Sequence, residues 1–552
     1  MNSTFREPAL KRALVVKGRG EHKAGGERGE RAWSRTGDWA AAIGAASLVV
    51  IVVLSALIVM MAADRPSPLS ATTHANFFPG WMAGPLGGLW PGLTRDTTTL
   101  RLLFTGSIIT MYAAYVVGLA YVPALRLHKR WAIAAVVAVH TIFFLAPPLA
   151  LTDIFNYVNY GRMEVVHHLN PYTTIPILEP HGDPSYDLSN WHQLLSPYGP
   201  LFTLLTFAVV PLGVAASFWA LKGILALASL AMLLLVWRCA RLLGRDPVTV
   251  IVLVGLNPIV LVWGLGGDHN DFLMVLFIVL GFYLLLLSRA RTRQRGMAER
   301  PVDSNGAAER PVDRNGASPS PAGGEGDRAQ RAPRAGRRGW LFPLVPLELG
   351  AGGAFVVATG LKASGGVLIP VVLVALLKTP RRLVQVVLGM IAAALLVGAV
   401  SLIAFGLHVP DLSTQGRLVT NVSVPNLLGL VLGSGGETDG LRRLLSGVLA
   451  LAVLACCFHA WRTRESITAA GWAGVALLVT LSWVLPWYVV WVLPLAALSS
   501  SRRLRTVTLV LGAYLIVGWS PASGLLWNAI GFHPEKTSLG RLHQRYVKEL
   551  LN

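Results

Sequence analysis

Charge is scarce in this chain: 14% of its 552 residues are Asp, Glu, Lys or Arg, while 53% are hydrophobic. A soluble protein of that length would divide into domains with alternating polar surface, and no such alternation appears. Cysteine is scarcer still. Cys239, Cys456 and Cys457 lie in or beside apolar runs, without metal-ligand spacing and too few for a disulfide framework, which leaves packing as their role. His167 and His168 lack an HExxH or comparable pattern, so neither a metal nor another cofactor is expected. Acid is short relative to base, giving a net charge of +20. The cations sit in short clusters between apolar runs rather than on one face. That distribution excludes a nucleic-acid partner and fits the positive-inside pattern of a chain in a lipid bilayer.

What abounds is apolar length. Many runs exceed the roughly 18 residues that cross a bilayer core as helix. The expected fold is therefore all-α, a polytopic transmembrane helical protein of about 13 spans. These fall near 39–62, 102–122, 131–151, 217–237, 248–265, 272–288, 340–358, 364–378, 384–405, 444–461, 468–485, 488–499 and 506–523. Clusters around Arg126 and Arg130, Arg238 and Arg245, Lys378 and Arg382, Arg462 and Arg464, and Arg502 and Arg505 would all face the cytoplasm, with the C-terminus outside. Residues 199–214 are apolar but short, and are expected to be half-inserted or interfacial. Residues 1–38 read as a disordered basic cytoplasmic tail and 39–288 as an N-terminal transmembrane module with an outer loop at 152–216. Residues 289–339 read as a disordered Arg/Pro/Gly linker containing the tandem "AERPVDSNGA" and "AERPVDRNGA". A second transmembrane module, 340–523, and an outer tail, 524–552, follow.

The outer loop opens on "TDIFNYVNYGRMEVVHHLNPY", Thr152 to Tyr172. Arg162 is its only Lys or Arg up to Tyr198. Residues 154–168 can form a helix, with Thr152 or Asp153 as N-cap and "NPY" as its stop. Asp153, Tyr157, Tyr160, Glu164 and His168 would then share one face, with Arg162 on roughly the opposite side unless Gly161 breaks the helix. Taken singly, Asp153 reads as a cap, the tyrosines as an interfacial belt and Glu164 as a solvated acid. Lys362 stands between two apolar runs, where an unpaired charge at membrane depth costs on the order of 2.5–3.5 kcal/mol unless it snorkels outward. Asp271, at the end of "GGDHND", is a natural N-cap of the helix that follows.

Taken in order, "TDIFNYVNYGR", "NPY", "SPYGPLF", "NPIVLVWGLGGDHND", "GLKAS" and "PWYVVWVLPLA" resemble the polyprenyl-phosphomannose-dependent mannosyltransferases of actinobacterial lipoglycan synthesis, within the GT-C superfamily of membrane glycosyltransferases. The resemblance runs from about 150 to 500 and excludes the basic tail and the linker. It implies an inverting hexosyltransferase of the cytoplasmic membrane, with its active site on the outer face. The donor would be a polyprenyl-phosphate-linked sugar, mannose, and the acceptor a glycolipid or polysaccharide. Asp153 matches the family's catalytic acid after an early span and would act as general base. The donor phosphate would meet Arg162, Lys362 or Arg417. Sugar and acceptor contacts are expected from Tyr157, Tyr160, Glu164, Asn170, Tyr172, Tyr198, His269, Asn270, Asp271 and Trp487. The chain departs from the pattern in having two spans and a loop ahead of the span that ends at Asp153, and the 64–100 loop matches no family role. A six-plus-six secondary transporter is the competing class, suggested by the central basic linker. An odd span count and the lack of similarity between the halves argue against it. An enzyme of this architecture acting on a protein or another polysaccharide is the third reading.

Overall fold

The computed structural model describes residues 26–63, 69, 79–89, 96–124, 128–150, 153–298 and 346–551. Among these residues every regular element is helical and no strand forms. Six helices are long and apolar enough to cross a bilayer: Asp38–Ala63, Thr97–Ala124, Val214–Leu242, Asp271–Gln294, Pro380–Phe405 and Asp439–Thr463. A seventh is reached if Arg502–Trp519 and Ser523–Ala529, bent 83° from one another, count as one span. The chain is thus a multi-pass membrane protein, but helix length does not reproduce 13 crossings.

The difference has a local cause. One expected crossing, 248–265, is a broken helix, and the pairs expected at 340–358 and 364–378 and at 468–485 and 488–499 are apolar helices too short to cross singly. Asn257 and Pro258 end the helix Pro247–Gly255, and a π-helical segment Val260–Leu265 continues it. Leu347–Leu361 stops at Lys362, a 3₁₀ segment Ala363–Leu368 follows, and α-helix resumes at Ile369–Leu376. Ser466–Thr480 gives way to the 3₁₀ segment Pro486–Trp491 and then to Leu493–Leu498. Proline removes a backbone donor and clashes with the preceding turn, and glycine weakens helix, so breaks at these residues follow from sequence. At membrane depth such irregular backbone is tolerated where it is buried in protein or lines a polar cavity.

Other boundaries shift as well. The first helix begins at Gly26, inside the stretch read as a tail. The helix from Asp271 runs to Ala298, into the stretch read as a linker. The linker repeats, residues 1–25 and most of 64–95 lie outside the described residues. Residues 200–212 form the helix Pro200–Val209 and a 3₁₀ turn Val210–Leu212, too short to cross. The segment after 523 is not an extended tail. Its last helix, Ser538–Leu551, folds back over the outer loop, with the Gln193 N–H donating to the Leu550 carbonyl at 3.1 Å and the Tyr546 hydroxyl to the Thr414 carbonyl at 3.1 Å. Leu550 is buried while Arg541, Arg545 and Lys548 are exposed, so the amphipathic pattern of this helix sets which side faces the protein.

The two ends of the helical body differ in charge. Arg245, Arg289 and Arg464, from three basic clusters or their flanks, line one cavity. Asp271 begins the helix that carries Arg289. At about 1.5 Å per residue the two are roughly 27 Å apart, close to the ~30 Å thickness of a bilayer core.

Candidate active site

At the Asp271 end, the breaks converge on a cavity of about 290 Å³, lined by Asp153, Tyr160, Tyr198, Lys362, Trp487 and Tyr488 among others. Five of these were expected from sequence, and they come from four separated stretches. Asp153 is the first residue of the helix Asp153–His167, where the unpaired N–H groups and the positive end of the helix favour a carboxylate. Its Oδ2 stands 3.4 Å from His269 Nδ1. The imidazole lies flat on the Trp487 indole, with ring centroids 3.5 Å apart and planes 6° from parallel. Stacking fixes the plane of the imidazole beside Asp153.

His269 sits in the turn between the π-helical segment and the helix Asp271–Ala298. Asp268, just before it, has φ +56°, a left-handed conformation that Asp tolerates better than most residues. Lys222, in the middle of Val214–Leu242, donates to both Asp268 oxygens at 2.8 and 3.0 Å, and both side chains are 1% exposed. This buried pair pins the turn that presents His269. On the other side of His269, both Asn270 amide atoms are buried without a hydrogen-bond partner among the described residues. The Asn270 N–H points to the Tyr157 hydroxyl at 3.4 Å. Tyr157 itself packs edge-on against Tyr198 and Phe202, each at 4.8 Å between centroids, and so supports the floor rather than lining the cavity.

Lys362 donates to both Asp271 oxygens at 2.8 and 2.9 Å, and the Trp491 indole N–H donates to the same carboxylate. Its ammonium also lies 5.0 Å from the Tyr488 ring centre and 5.4 Å from that of Trp491, within cation–π range. Asp271, expected as a cap, is the first residue within its helix, and its carboxylate serves Lys362. The break that frees Lys362 is set by close approach. A Cβ on Gly199, in "SPYGPLF", would meet the Gly360 carbonyl oxygen at 2.2 Å, and the Gly199 N–H donates to the Leu361 carbonyl at 3.2 Å. Glycine is therefore required where the outer loop docks on the peptide before Lys362.

The remaining expected residues lie elsewhere. Arg162 is not in the cavity: its Nε and Nη2 grip Asp183 at 2.8–3.0 Å. Asp183 also accepts from the Ser185 N–H and hydroxyl, and His167 Nε2 lies 2.7 Å from it. The phosphate role expected of Arg162 is thus corrected to an anchor of the outer loop. Asp183 is partly desolvated, which acts upward, but Arg162, Ser185 and His167 outweigh this and hold its carboxyl well below the usual range. Burial pushes Glu179, hydrogen-bonded to Asn159 Nδ2 at 2.8 Å, up to about 7. Glu164 is half-buried outside the cavity, and burial shifts it upward too. Asn170 and Tyr172 are structural. Asn170 donates to the Phe405 carbonyl at 2.9 Å and accepts from the Tyr172 N–H at 2.9 Å, while the Tyr172 hydroxyl donates to the Tyr198 carbonyl at 2.8 Å. Arg417 is exposed in the turn Gln415–Arg417, whose neighbours Gln415 and Leu418 line the cavity.

Sequence reasoning missed Lys222, Asp268, Tyr488, Trp491 and the C-terminal wall, where Val547 and Leu551 reach the cavity. Lys222 carried a usable signal: a lone cation inside an apolar span calls for a buried partner.

Comparisons with known proteins follow the same arrangement. Residues 41–378 match a family model described as alpha-(1->6)-mannopyranosyltransferase, N-terminal domain, and residues 419–532 match one described as MptB C-terminal domain. Alpha-(1->6)-mannopyranosyltransferase A of Mycobacterium tuberculosis is 34% identical over 164 residues, 27% of this chain and 30% of that protein. A second alpha-(1->6)-mannopyranosyltransferase of that organism is 26% identical over 404 residues, 68% of this chain and 66% of the relative. A Mycolicibacterium smegmatis protein named "Probable alpha-(1->6)-mannopyranosyltransferase" is 26% identical over 452 residues, 77% of this chain and 74% of its own length. The chain therefore spans less than two thirds of the first two relatives. No solved structure matches.

Proposed function

This chain belongs to the alpha-(1->6)-mannopyranosyltransferase family, and from that premise we propose that it is an inverting mannosyltransferase using a polyprenyl-phosphate-linked donor. Mannose passes to a glycan or glycolipid acceptor on the outer face of the cytoplasmic membrane. The observation that carries this reading is Asp153, a carboxylate at a helix N-terminus on the cavity wall, 3.4 Å from a His269 ring fixed on Trp487. In the reaction an acceptor hydroxyl loses its proton to Asp153 as its oxygen bonds the anomeric carbon. The bond from that carbon to the phosphate oxygen breaks, and the electron pair leaves with the phosphate. One displacement inverts configuration. The phosphate needs no protonation to leave, unlike the alkoxide of glycoside hydrolysis. Lys362, on the same cavity, has two of its ammonium directions on Asp271 and one further donor for a phosphate oxygen.

The charge asymmetry supports the outer face: the cavity and the Arg289 cluster occupy opposite ends of one span, and arginines concentrate on the cytoplasmic side. Asp153→Asn in membranes supplied with polyprenyl-phosphate mannose should lower transfer by about 10²–10⁴-fold with little change in donor affinity. Wild-type turnover in that variant would remove Asp153 as the base.

A further inference from the structure

The Asp153 cavity has a larger neighbour. A cleft of about 1000 Å³ shares Trp483, Trp519 and Val547 with it. Its walls come from the end of the Arg502–Trp519 helix, the Ser523–Ala529 helix bent away from it, and the C-terminal helix Ser538–Leu551. Val547 touches both spaces, so one helix roofs both.

We propose that this cleft is the acceptor-binding site, holding a saccharide chain of two or more hexoses whose terminal hydroxyl reaches past Trp519 to Asp153. The inference rests on the transferase reading and adds where the acceptor lies and what length it has. Size is the first support. At about 290 Å³ the Asp153 cavity is at the lower limit of ligand pockets, whereas about 1000 Å³ is at the upper limit. The smaller space suits the reacting units and the larger one the chain behind them.

Lining chemistry is the second support. Trp527, half-buried and braced edge-on by Phe532 at 5.2 Å, offers a flat apolar face of the kind that the C–H side of a pyranose covers. Asn528 and Gln544 line the same cleft beside Glu535, Arg541, Arg545 and Lys548; each amide can both donate to and accept from hydroxyls, and the charged groups add further donors and an acceptor. Trp519 lines both spaces. A third cavity also meets Trp519 and, through Trp487, borders the Asp153 cavity, but at about 330 Å³ it is a third of the size of the cleft and has no amide side chain in its wall. Room for a chain, aromatic faces and paired amides occur together in the larger cleft.

The test uses the full-length protein with α-(1→6)-linked manno-oligosaccharides of one to six units. In the wild type, acceptor KM should fall as the chain lengthens. Trp527→Ala should raise KM for the longer acceptors about tenfold, the order expected for losing one aromatic contact, with KM for the single unit and for the donor unchanged. Trp527→Phe, which keeps a ring, should recover most of the difference. An equal change at every length, a change confined to the donor, or none at all would overturn the proposal. Calorimetric binding of the four-unit chain without donor separates the two readings. About tenfold weaker binding in Trp527→Ala supports the cleft, and equal binding in both proteins rejects it. Intact, Trp527-dependent binding in a protein that transfers nothing from the donor would sink the transferase reading and leave the cleft standing.

Discussion

The helix Pro380–Phe405 and the stretch just before it are both strongly apolar, yet one is built as an uninterrupted rod and the other is broken in the middle. Pro380–Phe405 runs 26 residues with only 17% of its apolar window buried, and it contributes no side chain to the cavity. Residues 347–376 are split at Lys362, and the split side chain lines the cavity. The break at Pro486–Trp491 likewise puts Trp487 and Tyr488 on the cavity wall, and the one at Asp268–Asp271 sets His269 beside Asp153. An intact helix satisfies its own backbone and offers lipid an apolar surface, whereas a broken one exposes polar groups that must be met by charges, rings or substrate. In this molecule the chemistry lies where helices fail.

If that contrast is right, the largest stability loss should come from the charge pair behind a break. Lys222→Met leaves the Asp268 carboxylate buried without its partner, which should cost about 3–5 kcal/mol. Thermal unfolding in detergent measures this. Adding Asp268→Asn removes the stranded charge while keeping a residue suited to the positive φ at that position, and should restore most of the loss. A double variant as unstable as the single one would show that the turn depends on the charge pair itself rather than on avoiding an unpaired charge.

The two cations that sequence placed on equal terms sharpen the contrast. Arg162 holds a regular helix to the outer loop through Asp183, while Lys362 sits at a break. Arg162→Ala should therefore lower stability by about 3 kcal/mol, the lower end for a broken buried pair because Ser185 and His167 stay on Asp183, and leave donor KM unchanged. Lys362→Ala strands the buried Asp271 carboxylate and so should also cost stability, but of the two variants it alone should raise donor KM. It removes charge-assisted bonds worth about 1.5–3 kcal/mol, read as roughly ten- to a hundredfold in donor KM. Swapped outcomes would return the phosphate contact to Arg162.

These assignments show what the sequence could and could not convey. The helix Asp153–His167 lies within a residue of its expected bounds at both ends, because its periodicity, the acid at its start and "NPY" after it are all local signals. The grouping of Asp153, Tyr160, Tyr198, Lys362 and Trp487 around one cavity followed from the motifs. Which cation meets which acid did not follow, since Lys222 and Asp268, or Lys362 and Asp271, are far apart in the chain and only packing pairs them. The span count failed for a related reason. Hydropathy registers apolar runs without regard to whether each is long enough as helix, so the halves on either side of Lys362 and of "PWY" each read as a crossing, although the helices built there are 15 residues or shorter.

The outer loop gives a smaller, pH-dependent effect. Asp183 has a depressed folded pKa, so the stability it contributes is present above the unfolded value near 3.8 and is lost as the pH falls below it. Glu179 is raised from 4.5 to about 7, so it acts with the opposite sign: stability is greatest below 4.5 and declines as the pH rises to 7. Unfolding monitored from pH 3 to 8 should therefore peak in mild acid. Glu179→Gln should flatten the decline between 4.5 and 7 while leaving the loss on the acid side. A profile unchanged by that variant would place the titration on another group.

The smallest effect is expected on the intact rod. Ile403, in Pro380–Phe405, is 86% exposed, with little protein around it to lose and no cavity to disturb. Ile403→Ala should change stability by no more than about 0.5 kcal/mol and leave the KM of both substrates where it was. Its near neighbour Phe405 is different: buried, packed at a 56° tilt against Tyr172 with ring centroids 4.6 Å apart, and hydrogen-bonded through its carbonyl to Asn170, it ties the end of the rod to the outer loop. A substantial loss of transfer in Ile403→Ala would therefore mean that the rod communicates with the cavity along its length and not only through that tied end, and the division between intact and broken helices would no longer separate scaffold from chemistry.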